Sequence, residues 1–326
     1  GGAVTPISGD TVTLDTSAAA GVFADWNVGT AKSVTASGYV LTGADAGNYA
    51  VAQPTGLTAN VTALSLAVTG VTAANKVYDR TVSATLSGGA IAPISGDTVT
   101  LDTSAATGVF ANRNVGSAKT VTASGYVLGG ADAGNYAVAQ PTGVTADITA
   151  KSLTISGLNP TKVYDRSLTA SVSGGTVSPI SGDTVTIDAS GATGTFADWN
   201  VGSGKAVTYA GFALSGAAAG NYVVVQPTGV TGDITALALA VTGVTAANKT
   251  YDQRLTATLS GGTISVLPGD DVTLDLSGRA GVFANKNVGS AKAVTVSGYA
   301  IAGADAGNYA LAQPTGVTAD ITALSL

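Results

Sequence analysis

The sequence predicts an all-β protein built as a tandem array of one small domain, and three observations carry that prediction. The first is repetition. A Gly-Asp turn stands at Gly9-Asp10, Gly96-Asp97, Gly182-Asp183 and Gly269-Asp270, and a Gly-Asn-Tyr triplet at Gly47-Asn48-Tyr49, Gly134-Asn135-Tyr136, Gly220-Asn221-Tyr222 and Gly307-Asn308-Tyr309. Both landmarks advance by 87, 86 and 87 residues. The second is composition: Ala, Thr, Val, Ser and 44 Gly dominate, with β-branched residues in short runs suited to strands. The third is short apolar/polar alternation punctuated by Gly, the pattern of half-buried strands joined by turns.

The second copy shows the elements in order. Residues 64–72 alternate as a first strand, and Asn75-Lys76-Val77-Tyr78-Asp79-Arg80 leads to a second at 81–86 that ends on Gly88-Gly89. Gly96-Asp97 turns into a strand at 98–102, with Val99 and Leu101 on one face. A short strand at 108–110 and a turn at Asn114-Val115-Gly116 precede the longest strand, 119–128. Residues 136–140 and 144–149 flank Gln140-Pro141-Thr142-Gly143, where Pro and Gly suit turn positions. About seven strands per copy predict a small antiparallel, Ig-like β-sandwich, with a β-grasp-like sheet as the alternative. Only Gly130–Gly134 suits a helical turn, with Asp132 as its N-cap. The long strand changes parity at Gly38, Gly125, Gly211 and Gly298, which predicts a β-bulge there that returns Val34, Ala36, Tyr39 and Leu41 to one side.

Seams fall after Ala63, Ala150, Ala236 and Ala323. Residues 64–150, 151–236 and 237–323 are complete repeats, 1–63 is a repeat lacking its first strands, and 324–326 starts a further one. The chain therefore reads as a window on a longer polypeptide; the alternative is that a neighbouring chain supplies the missing strands. There is no initiator Met and no signal peptide. The period exceeds the ~20–45 residues of solenoid units and allows each copy a modest core of its own. No Pro-rich or polar linker marks the seams, so a stiff rod is expected.

Comparing the four copies separates core from surface. Tyr39, Tyr126, Phe212 and Tyr299 share one position, so the ring matters there and the hydroxyl does not. Tyr49, Tyr136, Tyr222 and Tyr309 never lose theirs, which predicts a hydrogen bond to backbone. Trp26, Arg113, Trp199 and Lys286 share another position, and a site that accepts Trp and Lys alike lies on the surface. The two tryptophans there would stack on sugar rings or cover a neighbour's apolar edge.

Function classes narrow by elimination. The chain has no Cys, His or Met, and all 20 acidic groups are Asp. Disulfides, thiolate sites and the commonest general base are absent, and no group activates a nucleophile; we expect no enzyme, cofactor or metal. Asp10, Asp15, Asp45, Asp79 and their equivalents recur, but without calcium-loop spacing, and Ala218 replaces one of them; turn and cap roles are expected. Lysines fill two columns, Lys32, Lys119, Lys205, Lys292 and Lys76, Lys162, Lys249; a Lys–Asn isopeptide would need a buried carboxylic acid, usually Glu, and there is none. A net charge of −6 with scattered lysines argues against nucleic acid. No apolar run reaches the ~18 residues of a spanning helix, and with 6% aromatics the girdles of a membrane barrel are not expected.

Taken together, Lys76-Val77-Tyr78-Asp79, Gly96–Leu101, Asn114-Val115-Gly116, Gly130–Tyr136 and Gln140–Ile148 resemble the YDG and MBG-type repeats of large bacterial surface proteins. The resemblance implies the shaft of a filamentous-haemagglutinin-like adhesin, secreted and displayed at the cell surface or shed, whose partners are neighbouring repeats and other copies in a filament or matrix. Multivalent binding of glycans or partners is the alternative. One departure stands out. The family's Tyr-Asp-Gly is Tyr78-Asp79-Arg80, Tyr164-Asp165-Arg166 and Tyr251-Asp252-Gln253 here, which predicts that the left-handed turn is lost.

Overall fold

The computed structural model describes residues 2–326. Among them the chain is all-β, with no helix beyond four single 3-10 turns, and it divides into two compact units, Gly1–Thr149 and Ala150–Leu326. Each unit holds two copies of the repeat.

The second repeat shows the plan. Its main sheet runs in the order Lys76–Val77, Thr145–Thr149, Gly116–Ser124, Thr107–Phe110, Ser83–Ala84. Alternation decides what is inside: Gly108 and Phe110, then Val121 and Ala123, then Ala146 and Ile148 face the core while their neighbours face water. Three small ladders close over this sheet: Thr69–Ala73 with Leu86–Ala90, Thr100–Asp102 with Val127–Gly129, and Leu64–Ala67 with Tyr136–Ala139. Eleven short strands form where about seven were expected. The pairings are also mixed. Leu64–Ala67 lies parallel to Tyr136–Ala139, and Lys76–Val77 parallel to Thr145–Thr149. In both cases the opening of the repeat is clasped by its end, so the pairing spans nearly the whole copy.

The predicted bulge is at the other end of the strand. The register shift lies between Gly116 and Lys119, where Ala118 takes φ +47° and gives its N–H to Asp147 Oδ1 at 2.7 Å. At Gly125 the strand ends instead. Gly125 sits at φ +85°, and the chain resumes as Val127–Gly129 in a different ladder. One continuous segment thus serves two sheets, and the left-handed residue makes the parity change that keeps Val121, Ala123 and Tyr126 all buried.

The Tyr-Asp-Arg segment overturns another expectation. Arg80, Arg166 and Gln253 adopt φ of +70°, +61° and +66°, so the left-handed turn survives without glycine. Its neighbours enforce it. Asp79 Oδ1 accepts the Thr81 N–H at 2.8 Å and the Lys76 ammonium at 2.8 Å, and the same Lys lies 5.5 Å from the centre of the Phe110 ring. Gln253→Gly is therefore expected to raise stability by about 0.5–1 kcal/mol in denaturant unfolding, the strain relieved exceeding the entropy that glycine gains in the unfolded chain.

Asp132 precedes the 3-10 turn Ala133–Asn135 but does not cap it; its Oδ2 accepts the Thr98 N–H at 2.7 Å and pins the loop behind. Asp15, Asp102, Asp188 and Asp275 do hold turns, each accepting a Ser N–H two residues on, and that bond lowers their pKa values. Lys119 meets Asn112 Oδ1 at 2.7 Å and Lys205 meets Asp198 at 2.5 Å as hydrogen-bonded pairs.

Tyr126, Phe212 and Tyr299 are buried and Tyr39 half-buried. The Tyr299 hydroxyl has no hydrogen-bond partner, in keeping with the Phe at 212. Tyr299→Phe should be neutral or stabilise by up to about 1 kcal/mol, measured by thermal unfolding, since it removes an unsatisfied buried hydroxyl.

Candidate functional site: the junction between repeats

Within each unit the second repeat is bolted to the first, by asparagines and a Tyr–Asp pair that recur in every copy and, in the second unit, by Tyr164 and Arg166 as well. The four constant tyrosines hold the receiving face. Tyr309 Oη donates to Asp270 Oδ2 at 2.6 Å and accepts the Leu267 N–H at 2.8 Å. Tyr136 does the same with Asp97 (2.6 Å) and Ile94 (2.9 Å), and Tyr49 with Asp10 (2.6 Å) and Ile7 (3.0 Å). Tyr222 donates to Asp183 at 2.7 Å and accepts the Ile180 N–H at 3.0 Å. The expected backbone bond is present, and a carboxylate joins it.

Across the junction in the second unit that carboxylate does more. Asp270 Oδ2 also accepts from Tyr164 Oη of the preceding repeat at 3.0 Å, and its Oδ1 lies 3.0 Å from Arg166 Nε. The Asp270 side chain is 0% exposed and that of Arg166 42%. Arg166 also donates through Nη1 to the Pro268 carbonyl. Tyr164 and Tyr309 meet edge to face, ring centres 5.7 Å apart, a contact worth about 0.5–1.5 kcal/mol beyond its buried area. The apolar core runs through the same point: Tyr164, Phe196, Ile234, Leu239 and Tyr309 form one cluster that spans both repeats.

Beside it sits an asparagine clasp. Asn308 Nδ2 donates to Asn200 Oδ1 at 3.2 Å, and Asn308 Oδ1 accepts the Val201 N–H at 2.8 Å. In the first unit Asn135 makes the same two bonds to Asn27 (3.2 Å) and Val28 (2.9 Å). Two copies of one geometry, agreeing to about 0.1 Å, mark it as a specified joint.

Trp26, Arg113, Trp199 and Lys286 are on the surface, as their interchange predicted, Trp26 at 80% and Trp199 at 42% exposure. They lie one residue from the clasp asparagines and take no part in it. Trp26 does line a groove of about 410 Å³ with Val28, Leu64, Ile94 and Tyr136. The residues that build the joint were missed because Asn27, Asn200, Asn135 and Asn308 read as turn residues and Asp270 as a turn acid. Their constancy through the copies was the available signal.

Chemically the joint stores protons at high pH. Burial, then the hydrogen bond to Asp270, pushes the Tyr164 hydroxyl up from 10.0 to about 12. A group whose pKa rises on folding contributes stability that is complete below its unfolded pKa and is lost as pH climbs through the folded one. The second unit should therefore weaken between pH 10 and about 12, a loss that Tyr164→Phe diminishes in pH-dependent unfolding. Among the described residues no three acidic side chains cluster as a metal site, and no helix is long and apolar enough to cross a membrane.

The YDG domain model matches residues 1–56, 62–143, 149–229 and 235–316. No curated protein matches the chain. With four consecutive matches covering most of its length, the chain belongs to the YDG domain family.

Proposed function

We propose that this chain is a structural stalk or filament region of a bacterial adhesin, projecting or polymerising outside the cell, and that it catalyses no reaction. The observation that supports this is the joint. The Asn and Tyr residues and the Gly-Asp acid that build the joint recur in all four copies, as expected of a chain whose repeats are made to fasten to one another. Within each unit the seam is one or two residues long: Val230–Thr235 and Leu237–Ala240 are separated only by Ala236, and Leu57–Val61 and Leu64–Ala67 only by 62–63. Small-angle scattering on the intact chain tests the proposal. An elongated particle that lengthens in step with added repeats supports it, and a compact particle contradicts it.

The exposure of Trp26 and its place on the groove favour one second reading, a multivalent glycan-binding module, in which weak repeated sites gain avidity. Glycan-array binding that disappears in Trp26→Ala/Trp199→Ala would support that reading over the stalk.

A further inference from the structure

In every complete repeat the chain enters and leaves on a strand that runs parallel to a partner. In the second repeat Leu64–Ala67 enters beside Tyr136–Ala139, and Thr145–Thr149 leaves beside Lys76–Val77. The third repeat enters on Lys151–Thr154 beside Tyr222–Val225 and leaves on Val230–Thr235 beside Lys162–Val163. The fourth enters on Leu237–Ala240 beside Tyr309–Ala312 and leaves on Thr318–Thr322 beside Lys249–Thr250. The exit strand is held on both sides, since its other neighbour is the long strand, Gly116–Ser124 in the second repeat.

The exit pairing is reinforced in the same way each time. The Thr149 carbonyl accepts the Tyr78 N–H at 2.8 Å, and its hydroxyl donates to the Lys76 carbonyl at 3.3 Å. Thr235 repeats this with Tyr164 (2.8 Å) and Lys162 (3.2 Å), and Thr322 with Tyr251 (2.9 Å) and Lys249 (3.4 Å). Beside each threonine an isoleucine, Ile148, Ile234 or Ile321, is 1% exposed. In the second and fourth repeats an asparagine adds a rung: the Asp147 N–H donates to Asn75 Oδ1 and the Asp320 N–H to Asn248 Oδ1, both at 2.7 Å. In the third repeat Thr161 stands at that place.

We propose that each repeat is a load-bearing clamp, whose parallel terminal ladders resist tension applied along the chain. Tension enters at the start of the entry strand and leaves at the end of the exit strand. Each of these strands lies parallel to a partner anchored in the body of the repeat. The load therefore runs along the strands and falls on all the rungs together. Two antiparallel strands pulled from the same end would instead peel, one rung at a time. To yield, a terminal strand must slide by about 3.3 Å, one residue, and strand every donor and acceptor of its ladder at once. The seam keeps the load on that line, since Ala236 alone separates Val230–Thr235 from Leu237–Ala240. The clamp rests on the stalk reading, which supplies the tension.

Single-molecule pulling of the intact chain tests the clamp, and a chain without Cys accepts handles at chosen places. Pulled by its ends, each complete repeat should open in one step that releases 86 or 87 residues, a gain of up to ~300 Å at ~3.3–3.6 Å per residue. Asn75→Ala with Asn248→Ala should lower the opening force of two of these steps and leave the third unchanged. Handles at Thr107→Cys and Ser124→Cys, paired at the open end of an antiparallel ladder, load the second repeat across its strands. That direction should open it at less than about half the force, because forced opening reports the barrier along the path pulled. Equal forces in the two directions, or end-pulled forces indifferent to the asparagine substitutions, would overturn the clamp. A chain elongated in scattering that gave either result would lose the clamp and keep the stalk.

Discussion

Asp270→Ala is expected to cost the second unit about 2–4 kcal/mol and to loosen its two repeats from each other, as read by denaturant unfolding and by hydrogen exchange at the joint. Removing the carboxylate strands two donors, the Tyr309 and Tyr164 hydroxyls, and takes from the Arg166 guanidinium its ion-pair partner. The side chain is wholly buried, so no water stands ready to replace it. Arg166 remains 42% exposed and can partly resolvate, which keeps the loss at the lower end of the range for broken buried pairs. Asp270→Asn can keep an acceptor oxygen in the Oδ2 place that serves both tyrosines, but loses the charge, and should cost less. Asp10→Ala serves as the internal comparison. Asp10 holds Tyr49 within its own repeat, so the same substitution there should cost about 1–2 kcal/mol.

Gly125→Ala is expected to destabilise the first unit by about 3 kcal/mol or more, since left-handed strain of roughly 1–2 kcal/mol adds to a direct backbone collision. A Cβ at 125 would stand 2.2 Å from the Ala105 carbonyl oxygen, which belongs to the backbone and cannot swing aside. The strand switch depends on this residue: without φ near +85° the segment after Ser124 either stays in the main sheet or turns Tyr126 out of the core. Gly134→Ala is the control. A Cβ there meets nothing within 4 Å and the backbone is not left-handed, so its effect should stay within about 0.5 kcal/mol. Thermal unfolding of the two variants side by side separates a generic cost of losing glycine from the specific cost at the switch.

What the sequence made legible was whatever depends on local pattern. Repetition, strand alternation, the buried rings at 126, 212 and 299 and the surface position of Trp26 all follow from residue type and from comparing copies. What it concealed depends on partners far along the chain. Leu64–Ala67 pairs with Tyr136–Ala139, some seventy residues away, and nothing in either segment distinguishes a parallel from an antiparallel neighbour. Gly125 announced a change of parity, but a bulge and a strand switch satisfy the same parity, and only the second ladder with Thr100–Asp102 decides between them. Arg80 and Arg166 hid their left-handed turn because the Lys and Asp around them, rather than the residue itself, impose it. The joint was hardest to see. Its asparagines and Asp270 have ordinary turn chemistry, and their role appears only when two repeats are set face to face.

The most direct test of that joint is a double-mutant cycle on Arg166→Ala and Asp270→Ala, measured by denaturant unfolding. If Tyr164 and Arg166 of one repeat are latched onto Asp270 of the next, the two substitutions should be non-additive by about 1.5–3 kcal/mol, because the first removes most of what the second can lose. Costs that sum to within about 0.5 kcal/mol would show that the repeats are merely adjacent, and would contradict the joint as the built site of this chain.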